Sequence, residues 1–270
     1  MRTLFISLAV GSMAVGCVAK DGSLGRSDSQ SAGDALGNGI EDSAASFGPM
    51  NGGATADAAC VVLSGDIADT DQDSIPANAR LTFNCTAVAL GYTGTLTGTE
   101  TVVDDQPTAI AWAFTAAADL HATLTGPFGG TIVRDWAGQI KATQGSAVGP
   151  FSLDRTLDVS TVFTPPAGRA ATVTEANAWT ITYTPTVSWT AGAVVVAGNL
   201  RASGTWDVTV GNASANATLS TPTPLTMTPT CATRVTAGVV EGTYEEAGQT
   251  RTITVTWTGC GQRTVTYAER

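Results

Sequence analysis

The chain has 270 residues, with 23 acidic against 13 basic side chains and a formal charge of −10. An acidic surface repels phosphate backbones, which excludes nucleic acid as a natural partner. Charged residues are only 13% of the chain, about half the usual share, and polarity is carried instead by 44 threonines, which are β-branched and favour strands.

The chain opens on Arg2 and an unbroken run of apolar and small residues over 4–15. The run is shorter than the ~20 apolar residues a spanning helix needs, and suits the apolar core of an export signal. It stops at Ala14-Val15-Gly16-Cys17. Small residues before a cysteine at the end of an export signal resemble the lipobox of bacterial lipoproteins, although Ala14 stands where that family most often has Leu. The resemblance implies cleavage after Gly16 and acylation of Cys17, giving a membrane partner through a lipid anchor. Loss of residues 1–16 removes one Arg and makes the chain more acidic, so membrane contact is expected from acylation alone. Val18-Ala19 replace the Asp that enterobacterial signals use for inner-membrane retention, which implies an outer-membrane lipoprotein, periplasmic or surface-exposed.

Residues 17–58 are rich in Gly, Ser, Ala and Asp, with few large apolar side chains. Such a segment buries too little surface to offset its ordering entropy, and reads as a flexible tether. As a random coil it would reach roughly 35 Å. The folded domain is expected over 59–270.

Four cysteines remain beyond Cys17: Cys60, Cys85, Cys231 and Cys260. An even number in an exported chain suggests two disulfides, with three possible pairings. Hairpin symmetry prefers Cys60–Cys85 and Cys231–Cys260. The first pair would lie across two strands, 60–63 and 81–85, joined by an acidic loop. The second would bracket a hairpin of strands 235–244 and 251–257 turning near Glu246.

The acidic loop reads Asp69-Thr70-Asp71-Gln72-Asp73-Ser74-Ile75-Pro76. Calcium is a hard cation that takes six to eight oxygens, and alternate Asp side chains on a curling loop can converge on it. The segment resembles the calcium loops of thrombospondin type 3 repeats over about ten residues. Ser74 replaces the Gly favoured at the turn, and Ala77 replaces a further Asp. The candidate ligands are Asp66, Asp69, Asp71 and Asp73 with the carbonyl of Ile75, and the expected cofactor is calcium.

Beyond the loop, apolar side chains alternate with polar ones over long distances. Ile110, Trp112, Phe114, Ala116, Ala118, Leu120, Ala122 and Leu124 share one face. A second run goes from Val194 through Leu200 and Trp206 to Val210. Shorter runs hold Trp136, Trp179 and Trp257, and the breaks between runs carry Gly, Pro, Asn and Asp. Clean alternation means one buried and one wet face, the habit of antiparallel sheets. The expected fold is all-β, a long-stranded antiparallel meander of about ten strands forming a sandwich or partly closed barrel.

Catalytic signatures are thin. The single histidine, His121, falls on the Thr face of its strand. Residues 144–149 do not match Gly-x-Ser-x-Gly, and there is no phosphate loop or zinc-type cysteine pair. Asp104-Asp105 and Glu245-Glu246 read as solvated charge at turn tips. The six tryptophans mostly share the phase of aliphatic residues, which makes them core. The chain therefore reads as a structural or interaction module with a protein or surface partner, not an enzyme. The alternative is a carrier of lipid or another apolar ligand in a barrel-like cavity.

Overall fold

The computed structural model describes residues 26–46, 60–73, 75–89, 92–106, 113–144, 150–167, 170–186, 197–228, 230–231 and 235–269. Twelve strands follow one another as β1 (Val61–Asp66), β2 (Asn78–Ala89), β3 (Tyr92–Asp104), β4 (Phe114–Thr125), β5 (Thr131–Gln144), β6 (Phe151–Thr164), β7 (Ala171–Pro185), β8 (Gly198–Val210), β9 (Ala213–Met227), β10 (Val235–Glu246), β11 (Gln249–Gly259) and β12 (Gln262–Glu269). They form one antiparallel sheet in strict chain order, with β1 and β12 as its edges and no closure into a barrel. The all-β antiparallel meander expected from the alternation is what the chain builds.

Period two governs burial. On β7, Val173, Glu175, Asn177, Trp179, Ile181 and Tyr183 point inward, while Thr174, Ala176, Ala178 and Thr180 are exposed. Trp136, Trp179, Trp206 and Trp257 are all buried, as their phase required. Trp112, Trp189 and the start of the run from Val194 lie outside the described residues. The alternation survives one irregularity on β8, where pairing with β9 shifts register between Leu200 and Gly204. Gly204 sits at φ +137°, and a Cβ there would overlap the carbonyl oxygen of Ala178. Only glycine accepts both the backbone angle and the close approach.

Both expected cysteine pairs are bonded, with Cα–Cα distances of 4.8 Å for Cys60–Cys85 and 5.4 Å for Cys231–Cys260. The first staples β1 to β2. The second ties the β9–β10 connection to the β11–β12 turn. The last hairpin turns next to Glu246 as expected, at Ala247-Gly248, with Glu246 opposite Gln249.

The tether needs a correction. Residues 26–46 are not a flexible coil but a helix, α1 (Arg26–Ser46), packed against β7, β8, β11 and β12. The sheet folds around it. Ala32, Ala35, Leu36 and Ile40 recur at intervals of three and four and join the main core. Low intrinsic propensity is overridden by tertiary packing. Close approach depends on small residues: a Cβ at Gly39 would lie 2.7 Å from Cη2 of Trp179. Polar contacts fix the depth of insertion. Arg155 lies over the Trp179 ring, 5.0 Å from its centroid, and donates to the Gly39 carbonyl at 2.8 Å. The Trp257 indole donates to Glu41 at 2.8 Å. Arg263 on β12 donates to Asn38 Oδ1 at 2.6 Å and stands 3.1 Å from Glu41 Oε2.

Candidate metal centre

The β1–β2 connection leaves the sheet at the pair Asp66–Asn78 and is closed by a hydrogen bond from the Ala77 N–H to the Ala68 carbonyl at 2.9 Å. Ile75 anchors it, buried in the main core with Val102 and Phe114. Between these points the backbone reverses at Gln72, a non-glycine residue at φ +68°. The reversal turns the side chains at alternate positions towards a common point. Oxygens of Asp69, Asp71 and Asp73 lie within 4.8 Å of one another.

That spacing has chemical meaning. Calcium binds oxygens at 2.3–2.6 Å, so two oxygens on one ion stand at most ~5 Å apart. The trio meets this limit. The bonding state of the oxygens is more telling. Asp73 is 1% exposed; its Oδ1 accepts the Ile75 N–H at 2.7 Å, but its Oδ2 is buried without a partner. Both carboxylate oxygens of Asp71 are also buried without a partner. A buried carboxylate oxygen with nothing to bond costs on the order of 1–3 kcal/mol, and more when the group is charged. A cation would satisfy all three at once.

A fourth carboxylate approaches from β3. Asp104 is 7% exposed, and its N–H donates to the Ala77 carbonyl at 3.3 Å, which pins the end of β3 to the loop. Its Oδ1 accepts the Gln106 N–H at 2.7 Å. Burial pushes the Asp73 carboxyl up to about 6, with Asp71, Asp104 and Asp69 adding to the rise and the Ile75 N–H opposing it. Burial also pushes Asp104 up, with Asp71, Asp105 and Asp69 adding and the Gln106 N–H opposing. These acids feel one another in a site that disfavours bare negative charge.

Of the predicted ligands, Asp69, Asp71 and Asp73 are brought together. Asp66 is not in the cluster. It is exposed at the end of β1, and its Oδ1 accepts the Ala68 N–H at 3.1 Å. The Ile75 side chain serves the core, and its N–H serves Asp73. Ser74 lies outside the described residues, as does Cys17. Asp104 was missed. The sequence groups it with Asp105 as solvated turn charge, whereas register places it beside the loop. The pair Asn78–Val103 adjoins both segments.

Two other polar features lie elsewhere on the sheet. His121 is exposed, with Nδ1 2.6 Å from Asp135 Oδ1 and Nε2 3.2 Å from Thr123 Oγ1. A shallow concavity of about 410 Å³ opens nearby on the outer face. Asp119, Ala137, Asp158, Ala176 and Asp207 cross it in one register row from β4 to β8. These carboxylates are exposed, and Asp207 accepts from the Asn216 amide.

Comparison with protein-family models, with characterised proteins and with solved structures finds no match to this chain.

Proposed function

We propose that this chain is an exported, lipid-anchored β module, clasped by calcium at its β1–β2 loop, that serves as a structural or interaction scaffold outside the cytoplasm. The observation that carries the calcium reading is the buried, unpartnered Oδ2 of Asp73, on a side chain clustered with Asp69 and Asp71. The residues that would hold the ion are Asp69, Asp71 and Asp73, with Asp104 flanking them. The ion supplies positive charge where the fold has gathered carboxylates. It stiffens the loop between a disulfide-stapled edge strand and the sheet. The anchor reading rests on Cys17 at the end of its export-type signal. The partner is a protein or surface component rather than nucleic acid, given the acidic chain. The scaffold reading is favoured over the apolar carrier because Leu36 and Ile40 of α1 occupy the space inside the curled sheet.

Thermal melts in calcium and in chelator test the clasp. At calcium a hundredfold above the dissociation constant, binding stabilises by ~2.7 kcal/mol, which for a domain of this size raises the Tm by roughly 5–10 °C. Asp71→Asn should abolish most of that rise without lowering the Tm in chelator. Equal melting of the parent with and without calcium would remove the clasp. Cys17→Ser should release the protein from the membrane fraction.

A further inference from the structure

An antiparallel meander sends every second turn to the same end. The turns at 126–130 (β4–β5), 165–170 (β6–β7), Gly211-Asn212 (β8–β9) and Ala247-Gly248 (β10–β11) therefore share one end. The acidic loop, the end of β3 at Asp104 and the Cys260-Gly261 turn share the other. Phe128 stands at the tip of the first of these turns and is 86% exposed. Its turn is pinned by hydrogen bonds from the Gly126 N–H to the Gly130 carbonyl at 2.8 Å and from the Gly129 N–H to the Gly126 carbonyl at 3.0 Å. The ring is thus held out on a fixed stem of small residues.

Charge differs between the two ends. Among the described turn residues on the Phe128 end, 126–130, 165–167, 211–212 and 247–248, there is no carboxylate. Three acids lie at nearby strand ends. Glu246 and Glu269 are paired with Arg251, and Glu245 accepts from the Thr250 hydroxyl at 2.6 Å. The opposite end carries Asp69, Asp71, Asp73 and Asp105.

The direction of α1 says which end the chain enters by. Ser29 lies beside Tyr244, three residues before the Ala247-Gly248 turn. Glu41 meets Trp257, three residues before Cys260. The helix therefore begins at the Phe128 end and runs towards the acidic end. Nine residue steps separate Cys17 from Arg26, a reach of at most ~30 Å. The longer strands have 12–15 residues, which makes the sheet roughly 40–50 Å long. Standing on the acidic end would lift Arg26 beyond that reach.

We propose that the domain stands on the bilayer with its carboxylate-poor turns down and Phe128 inserted at the lipid headgroup level. The proposal rests on acylation of Cys17, and the partner it commits to is a lipid surface. Phe128 sets orientation, holding the acidic end and its ion site away from the membrane. An apolar ring on a pinned, uncharged turn suits the interface, where amphipathic contacts are buried by several ångströms.

The test uses the acylated full-length protein in vesicles of phosphatidylethanolamine and phosphatidylglycerol. Benzoyl-phenylalanine replaces Phe128 in one preparation and Gln262, exposed at the opposite end, in another. Illumination should give lipid adducts from position 128 and none from position 262. Protein that floats with the vesicles yet gives adducts from neither position, or equally from both, overturns the orientation while leaving the anchor in place. Protein that does not float overturns the anchor and the orientation together. Unchanged melting of both variants shows that the fold is intact.

Discussion

Whether α1 belongs to the domain can be decided at Arg263. This side chain reaches from β12 to four groups on the helix: Asn38 Oδ1 at 2.6 Å, the Asp34 carbonyl at 3.2 Å, Glu41 Oε2 at 3.1 Å and Asp34 Oδ1 at 4.0 Å. Arg263→Ala leaves Glu41 buried with the Trp257 indole N–H as its remaining contact from the sheet. Removing one partner of a buried ion pair costs ~3–5 kcal/mol. The Arg263 and Glu41 side chains are 14% and 8% exposed, so water can reach the pair slightly and the lower end, about 3 kcal/mol, applies. In a domain of this size each kcal/mol moves the Tm by roughly 2–4 °C, so the expected fall is roughly 6–12 °C. The companion variant Glu41→Gln should cost less, because the amide still accepts from the indole. The double variant should be less damaged than the sum of the two, by ~1–3 kcal/mol. Circular dichroism melts read all four proteins. An Arg263→Ala protein that melts with the parent would mean that α1 is not docked and that residues 26–46 behave as a loose leader after all.

Glu100 is 2% exposed on β3, and burial pushes its carboxyl up to about 8. The folded state therefore holds a proton that the unfolded chain releases above its ordinary 4.5, so stability falls as pH rises between those values. Glu100→Gln should flatten that decline, gaining up to ~4 kcal/mol at pH 8 and little at pH 4.5. Parallel pH–stability profiles for parent and variant would contradict this. Gly204→Ala places a side chain at φ +137° against the Ala178 carbonyl, and should cost at least ~1 kcal/mol in urea titrations. No loss would mean that the β8 irregularity is absent in solution. Replacing Cys231 and Cys260 together by serine should cost ~2–4 kcal/mol, chiefly by freeing the unfolded chain, and a matching loss is expected for Cys60 with Cys85. Thiol titration of the unfolded parent without reductant should find neither pair reactive.

Much of the sheet was legible because alternation is a strong signal where one face is wet. The row Phe114, Ala116, Leu120 and Ala122 is buried as its phase required, and His121 is exposed. The cysteine pairs followed from hairpin symmetry, although Cys231 lies in the β9–β10 connection rather than on the hairpin itself. α1 was not legible by composition, since Gly, Ser and Asp are poor helix formers in isolation. A trace was present in the spacing of Ala32, Ala35, Leu36 and Ile40. What selects the helix is the groove made by β7, β8, β11 and β12, with contacts as distant in sequence as the Glu41–Trp257 separation of 216. The site was legible in part for the same reason. Asp69, Asp71 and Asp73 are neighbours in sequence, whereas Asp104 joins them only through the register of β2 with β3.

The helix is the first part of the domain to be made and the last that can be seated. Its indole partner arrives 216 residues later, and Arg263 later still. At ~5–20 residues per second that interval is roughly 10–40 s of synthesis, during which the groove for Leu36 and Ile40 still lacks its β11 and β12 walls. Contacts this distant also make for slow closure after the chain is complete. Seating of the helix therefore reports that the final strand has been laid down, since a chain cut short before β12 lacks the arginine that clamps it. A truncated product would carry residues 26–46 undocked and open to proteases. The fold thus couples the fate of its first residues to the arrival of its last ones.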